Sequence, residues 1–491
     1  MRSTTHAMRM ALAAVAALAV PGLAVAANTA SKDKIPITTS SEEARQLYVK
    51  GRDLAEKLRA TDGRALYEQA VAKDKTFALA HLGLANTAGT AKEFFDSLGQ
   101  AVVLSAKASE PERLLIAGVD AGAKGDVTRQ REAFTKLVAA FPNDERAHNL
   151  LGGYYFGRQE YAAAVAEYEK AIAINPSFSQ PYNQMGYAYR FLYKYPEAEK
   201  AFKKYIELIP GDPNPFDSYA ELLMKTGRFE ESIKNYEKAL AIDKNFVASW
   251  IGIGNNRMFM GQGDKAREAF AHVTAIARND GEKRLALFWS AMSYVHEGAT
   301  DKAIAEIEKE AAIAKASGDK ASLSGDWNQI GDILLEAGRA DEALARYKEQ
   351  VATMDAADVP AEVKEATRRQ HLFDAARVAL AKKDIAGAKA KAQEYAAAVS
   401  AKRVPFEMWQ QHELAGRIAL EEKGYATAAA ELEQANQQDP RVMYVLAVAL
   451  QGKGDTEKAA VMATRAADFN GLSATYGFVR GKARTIRAAK S

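Results

Sequence analysis

LGGYYFGRQEYAAAVAEYEKAIAINP, Leu151 to Pro176, is followed 34 residues further on by MGYAYRFLYKYPEAEKAFKKYIELIP, Met185 to Pro210, and the two overlay without a gap. Extended in both directions, the match gives four successive windows of 34 residues from Glu145, each reading as two amphipathic helices joined by a short turn. Small residues recur at Gly152, Gly186, Ala220 and Gly254, and again at Ala164, Ala198, Ser232 and Ala266, where two antiparallel helices must approach closely. Aromatic residues recur at Tyr168, Phe202, Tyr236 and Phe270, where each can fill the gap between one helix pair and the next. Leu151, Met185, Tyr219 and Ile253 form a further ladder on the first helix; Tyr161, Tyr195 and Phe229 open the second, with Gly263 departing. Pro176 and Pro210 fit inter-repeat turns, because proline lacks an amide hydrogen and disfavours helix in the residue before it; Lys244 takes that place in the third unit.

Outward from this core the pattern loosens. WNQIGDILLEAGRADEALARYKEQV, Trp327 to Val351, is a further clear copy, and weaker ones lie around Leu287 to Glu310, Phe373 to Tyr395, His412 to Pro440 and Met443 to Asn470. Their phases break at Ala316 to Ser324, Met354 to Pro360 and Lys402 to Pro405, polar or proline-bearing stretches that read as longer turns between repeats. Upstream, Ser41 to Pro142 is helical by pattern, REAFTKLVAAFPND (Arg131 to Asp144) looks like the end of a unit, and Ser40 or Ser41 can cap the first helix, with Glu43 or Glu42 nearby.

These ladders resemble the tetratricopeptide repeat at nearly every signature position, strongly over about a quarter of the chain and recognisably over most of it. The resemblance implies an all-α, right-handed α-solenoid of tandem helix-turn-helix repeats. The organisation that follows is degenerate helical repeats over 41–144, four contiguous units over 145–280, two further units over 281–357, degenerate units over 358–470 and a basic capping helix or tail over 471–491. That last segment carries Arg480, Lys482, Arg484, Arg487 and Lys490, a run that reads as a solvated final helix.

At the other end, Arg2 and Arg9, the apolar run Met10 to Val20 and the small residues Ala24-Val25-Ala26 read as a secretory signal over 1–26, followed by a polar linker over 27–40. The apolar run is about half of the roughly 20 residues that a membrane-spanning helix needs. A periplasmic chain with no integral membrane span after cleavage is therefore expected. Cysteine is absent, which excludes disulfides, thiolate metal sites and a cysteine nucleophile. The formal net charge falls from +3 to +1 once Arg2 and Arg9 are removed, too balanced for bulk electrostatic binding of nucleic acid.

Chemistry-bearing motifs are scarce. His296-Glu297 and His412-Glu413 begin like a zinc-protease motif, but neither is followed by a second histidine three residues later. Gly261-Gln262-Gly263 and Gly452-Lys453-Gly454 fall between helices, with no strand before them to aim amides at phosphate, so they read as helix turns. His148 shares a ladder with Tyr182, Phe216 and Trp250 and reads as a core residue with a satisfied ring. No catalytic residue, cofactor or metal is expected.

Stacked helix pairs turn into a superhelix whose concave groove is lined by first helices. In the family such grooves hold extended peptides or partner helices. The first-helix positions off the core ladders give Asn149, Asn183, Gln184, Tyr187, Arg190, Asp217, Glu221, Asn255 and Met258 as candidate partner contacts. Side-chain amides suit a peptide backbone, and Arg190 suits a carboxylate. The expected function is a non-enzymatic protein- or peptide-binding scaffold of the cell envelope. The alternative is a structural bridge in an outer-membrane or polysaccharide-export assembly, acting through the convex face or the C-terminal helix.

Overall fold

The computed structural model describes residues 33–57, 59–400, 404–471 and 475–488; the signal-like segment, Lys402 and Arg403 of the Lys402 to Pro405 turn, and Lys490 lie outside them. Among the described residues there are 25 α-helices and no strand, arranged as twelve antiparallel hairpins and a final helix. Hairpins 1 to 3 pair α1 (Glu42–Glu56) with α2 (Ala60–Lys73), α3 (Ala78–Asn86) with α4 (Ala91–Leu104), and α5 (Glu110–Ala123) with α6 (Val127–Ala140). Hairpins 4 to 7 are α7 (Glu145–Gly157) with α8 (Tyr161–Ile174), α9 (Ser179–Phe191) with α10 (Tyr195–Leu208), α11 (Pro213–Lys225) with α12 (Phe229–Ile242), and α13 (Val247–Phe259) with α14 (Gly263–Ile276). Hairpins 8 to 10 are α15 (Asp280–Glu297) with α16 (Thr300–Ala316), α17 (Lys320–Glu336) with α18 (Ala340–Asp355), and α19 (Ala361–Ala381) with α20 (Ile385–Ser400). Hairpins 11 and 12, α21 (Pro405–Glu421) with α22 (Tyr425–Leu432) and α23 (Pro440–Lys453) with α24 (Thr456–Ala467), precede α25 (Tyr476–Ala488).

Local chemistry sets the helix ends. The Ser41 hydroxyl accepts from the Ala44 amide at 3.2 Å, and the Asp144 carboxylate accepts from the Arg146 and Ala147 amides at 2.8 and 2.9 Å. Both satisfy first-turn donors that the helix cannot satisfy itself. Between the two helices of hairpins 4 to 7 one residue is left-handed: Gln159 at φ 59°, Tyr193 at 58°, Gly227 at 78° and Gly261 at 76°. Glycine adopts this conformation freely, whereas Gln159 and Tyr193 do so at a cost of about 1 kcal/mol each.

The helices cross where a small residue faces a large one sixteen positions later. A Cβ on Gly152 would stand 2.5 Å from the Tyr168 ring, one on Gly186 2.7 Å from Phe202, and one on Gly331 2.5 Å from Tyr347. The aromatic ladder thus lies over the first helix of its own hairpin, a correction to its placement in the gap between pairs. Tyr236 differs, since it abuts Gly252 of the next first helix, in the gap between pairs. A second correction concerns Ala316 to Ser324, which is not a long turn. Only 317–319 separate α16 from α17, because Asp319 caps the helix and the Ser324 hydroxyl is satisfied by Gln350 O at 2.8 Å.

The row of hairpins coils until it meets itself. In hairpin 1, Asp62 pairs with Arg278 before α15 at 2.8 Å, and the Thr61 hydroxyl donates to Glu282 at 2.9 Å. The turn of hairpin 4 meets the loop before hairpin 12, where the Gln159 amide donates to Asn436 Oδ1 at 3.1 Å. The Arg465 guanidinium lies 4.9 Å from the Tyr193 ring, Lys225 Nζ 3.8 Å from the Phe469 ring, and the Tyr476 hydroxyl 3.0 Å from Met258 Sδ. Gln159 and Tyr193, the two strained turn residues, are among these contacts, which gives their side chains a use that glycine lacks. The last helix is accordingly not a fully solvated one. Tyr476, Val479 and Ala483 form a buried stripe that draws α25 onto α15 and α23, and takes Arg480 down to 4% exposure.

Candidate functional site

Residues 33–40, read above as the end of a polar linker, form an extended arm across the ends of α2, α5 and α7. The Ile35 amide donates to Asp144 Oδ2 at 2.8 Å, the Thr38 amide to Glu112 Oε1 at 2.7 Å, and the Ser40 amide to Asp74 Oδ2 at 2.9 Å. Side chains add to these main-chain bonds: Lys34 Nζ donates to Asn143 O at 2.7 Å and pairs with Glu145, and the Thr39 hydroxyl donates to Asp74 at 2.7 Å. Burial works against ionisation of Asp74, yet the bonds from Thr39, Thr76 and Ser40 hold its carboxyl well below the usual carboxylate range. Three carboxylates, one at the C-cap of α2 and two at the heads of α5 and α7, thus grip alternate stretches of an extended backbone. Such main-chain recognition gives affinity with little demand on side-chain identity.

Beneath the arm, Ile35, Pro36 and Ile37 close one side of a cavity of about 490 Å³, whose wall includes Arg52, Leu79, Leu115 and Arg146 from four first helices. A second cavity, about 540 Å³, shares Asn149, Leu150 and Gln180 with the first and extends to Gln184. The concave face here is a channel roofed in part by the chain itself. Arg146 reaches across to Glu56 of α1 at 3.4 Å and narrows it.

The nine candidate contacts separate into three groups. Asn149 and Gln184 line the channel; Asn149 donates to Gln180 Oε1 at 2.9 Å, and its own Oδ1 has no partner. Tyr187, Arg190 and Glu221 bond to one another, with the tyrosine hydroxyl 3.1 Å and the guanidinium 3.0 Å from the glutamate oxygens and the guanidinium 4.7 Å from the tyrosine ring. Asn183, Asp217, Asn255 and Met258 are buried. Asp217 accepts from the Ser249 hydroxyl at 2.7 Å, and burial, with the Glu221 charge behind it, pushes its carboxyl up to about 8. Asn255 donates back to Ile251 O at 2.9 Å within its own helix. First-helix periodicity identifies the inner wall but not how tightly its members pack against each other.

Asp74, Glu112 and Asp144, which hold the arm, were not singled out from the sequence. A signal was available for two of them: Thr38, Thr39 and Ser40, which face Glu112 and Asp74, form a run of hydroxyls without charge.

Three of the described histidines are bonded or packed within the helical stack. His148 is buried with Nδ1 2.7 Å from Glu167 Oε2 and Nε2 3.1 Å from Pro142 O, His412 lies 2.7 Å from Glu431, and His296 packs against Tyr476. Among the described residues no cluster of His, Asp and Glu is placed to hold a metal ion, and no helix is long and apolar enough to cross a membrane. Gly261 and Gly454 are left-handed turn residues between helices, as the absence of a preceding strand implied.

Family models of the tetratricopeptide repeat match residues 152–190, 179–212, 217–246 and 251–319. No curated protein matches the chain. Solved structures similar to it include YrrB, described as a TPR protein with an unusual peptide-binding site, at 22% identity over 37% of this chain and 93% of that one, TM-score 0.26. A tetratricopeptide repeat protein from Parabacteroides merdae is 14% identical over 56% of this chain and 94% of its own, TM-score 0.35. A thermophilic TPR protein of Thermus thermophilus is 18% identical over 36% and 94%, TM-score 0.31. With the matched repeats falling on hairpins whose first helices begin at 145, 179, 213 and 247, residues 152–319 are an array of repeats of the tetratricopeptide-repeat superfamily.

Proposed function

We propose that this protein-interaction scaffold works in the cell envelope, without catalysis, by holding an extended segment of a partner protein in the concave channel of its first helices. One observation carries the reading: the chain holds a stretch of its own backbone, residues 33–40, in extended form against carboxylates at the C-cap of α2 and at the heads of the first helices α5 and α7. Next to it, Asn149, Gln180 and Gln184 line the channel with side-chain amides. Envelope location rests on the signal-like residues 1–26. The bridging alternative through the C-terminal helix has less support, since the apolar stripe of α25 is spent on the chain's own hairpins.

A photo-crosslinking residue at Gln184, in the channel, and another at Lys200, exposed on a second helix, separate the readings in living cells. A partner adduct at position 184 and none at 200 is the expected result. Adducts at 200 alone would move the docking face to the convex side. The intact mass of the chain from an envelope fraction should correspond to a start at Ala27, and a full-length mass in the cytoplasm would refute the location.

A further inference from the structure

Where the end of the chain meets its middle, the described residues leave charge uncompensated. A cavity of about 530 Å³ lies between the turns of hairpins 5 to 7 and the tail of hairpin 12, with α25 as one wall. Lys225, Arg465, Arg480 and Arg484 line it against one carboxylate, Asp468, which is already paired with Arg487 at 2.9 Å. None of the four cations forms an ion pair with a described residue. Arg480, 4% exposed, donates through Nη2 to Asn470 Oδ1 at 2.8 Å, while its Nε and Nη1 are buried without partners.

A guanidinium cannot shed its proton to escape burial. An uncompensated buried charge is among the costliest features a fold can carry, and a buried donor without a partner calls for a missing ion or ligand. The adjacent His296 registers the positive field: burial, then Arg480 and Arg484, brings it down to about 4. Half of the lining residues that are not cationic are aromatic: Phe259 lies 4.8 Å from the Arg480 guanidinium, and Phe469 lies under Lys225. The volume falls within the range of small-molecule sites, roughly 300–1,000 Å³, and well above what a bare ion fills.

We propose that this cavity binds a small organic oxyanion, a phosphate- or carboxylate-bearing molecule whose charged group meets Arg480 and Arg484 and whose body rests on the aromatic walls. Because one wall belongs to hairpins 5 to 7 and the other to α25, the ligand fastens the end of the chain to its middle.

The test is calorimetric titration of the full chain with phenyl phosphate, benzoate, inorganic phosphate and benzyl alcohol. Phenyl phosphate or benzoate should bind about tenfold or more tightly than inorganic phosphate and benzyl alcohol, and the stronger of the two identifies the anionic group. Arg480→Gln should abolish most of that binding, and Arg484→Gln, at an exposed position, should weaken it severalfold with unchanged circular dichroism. If Arg480→Gln does not fold, Arg484→Gln decides alone. No binding of either aromatic anion at millimolar concentration, equal affinity for inorganic phosphate, or binding unaltered by Arg484→Gln would overturn the proposal.

Discussion

Hairpin 4 joins helices of 13 and 14 residues, and hairpin 9 joins helices of 17 and 16. Both place a glycine sixteen residues before a buried tyrosine, Gly152 before Tyr168 and Gly331 before Tyr347, and pack the ring on the glycine. The additional turn in α17 comes before Gly331 and leaves the crossing untouched. It brings in Asp326, which takes a two-pronged bond from Arg284 at 2.9 and 2.8 Å, and Asp319 at its cap, which reaches the amide of Lys92 in hairpin 2. The short turn between paired helices fixes the crossing, whereas helix length is free to serve contacts along and between turns of the superhelix.

The shared crossing is most directly broken by removing its ring. Tyr168→Ala and Tyr347→Ala should each cost about 3–5 kcal/mol in urea unfolding, as large cavities in cores do. A large loss in only one of them would show that the crossings are not equivalent.

Next in size is a difference in pH response. In the folded chain Asp217 stays protonated to about pH 8, and in the unfolded chain it ionises near pH 4. Between these values the unfolded state binds fewer protons, so this group lowers stability as pH rises. Asp217→Asn keeps the acceptor for Ser249 and should stabilise the chain by about 1–3 kcal/mol at pH 8 with little effect at pH 4. The same gain at both pH values would refute the assignment.

Within α17 alone, two glycines should answer oppositely. Gly331→Ala drives a methyl group into the Tyr347 ring and should cost about 1–3 kcal/mol. Gly325→Ala meets open space and should gain about 0.5–1 kcal/mol by removing backbone entropy from the unfolded state.

The smallest effect sharpens the contrast most. Tyr168 has a buried hydroxyl without a partner, while the Tyr347 hydroxyl donates to Asp332 at 2.8 Å. Tyr168→Phe should be neutral or stabilising by up to about 1 kcal/mol, and Tyr347→Phe should cost about 1–2 kcal/mol. Equal changes in thermal midpoint would erase the distinction between a ring that only packs and one that also binds a carboxylate.

Much of the fold was legible because neighbouring hairpins make identical demands: Gly152, Gly186 and Gly254 answer to Tyr168, Phe202 and Phe270 at one spacing in one 34-residue frame. Outside 145–276 the frame fails, but the sixteen-residue spacing persists at Gly51 and Tyr67, Gly118 and Phe134, and Gly416 and Leu432. Searching for that spacing alone would have found more hairpins. The candidate site was less legible. Asn149 and Gln184 face the channel, but whether Asp217 or Met258 is exposed depends on Ser249 and Tyr476, residues 32 and 218 positions away. The arm is harder still, because an extended stretch has no helical period, and its partners Asp74, Glu112 and Asp144 are spread over three hairpins.

Whether the concave face is a holder of extended backbone can be measured by competition with the arm. A chain beginning at Ser41 should bind a fluorescent peptide of residues 33–40, DKIPITTS, with a rise in anisotropy that Glu112→Ala and Asp144→Ala each reduce about tenfold or more. A folded chain that leaves the peptide free, or that binds it equally well without those two carboxylates, would contradict the groove as the working surface.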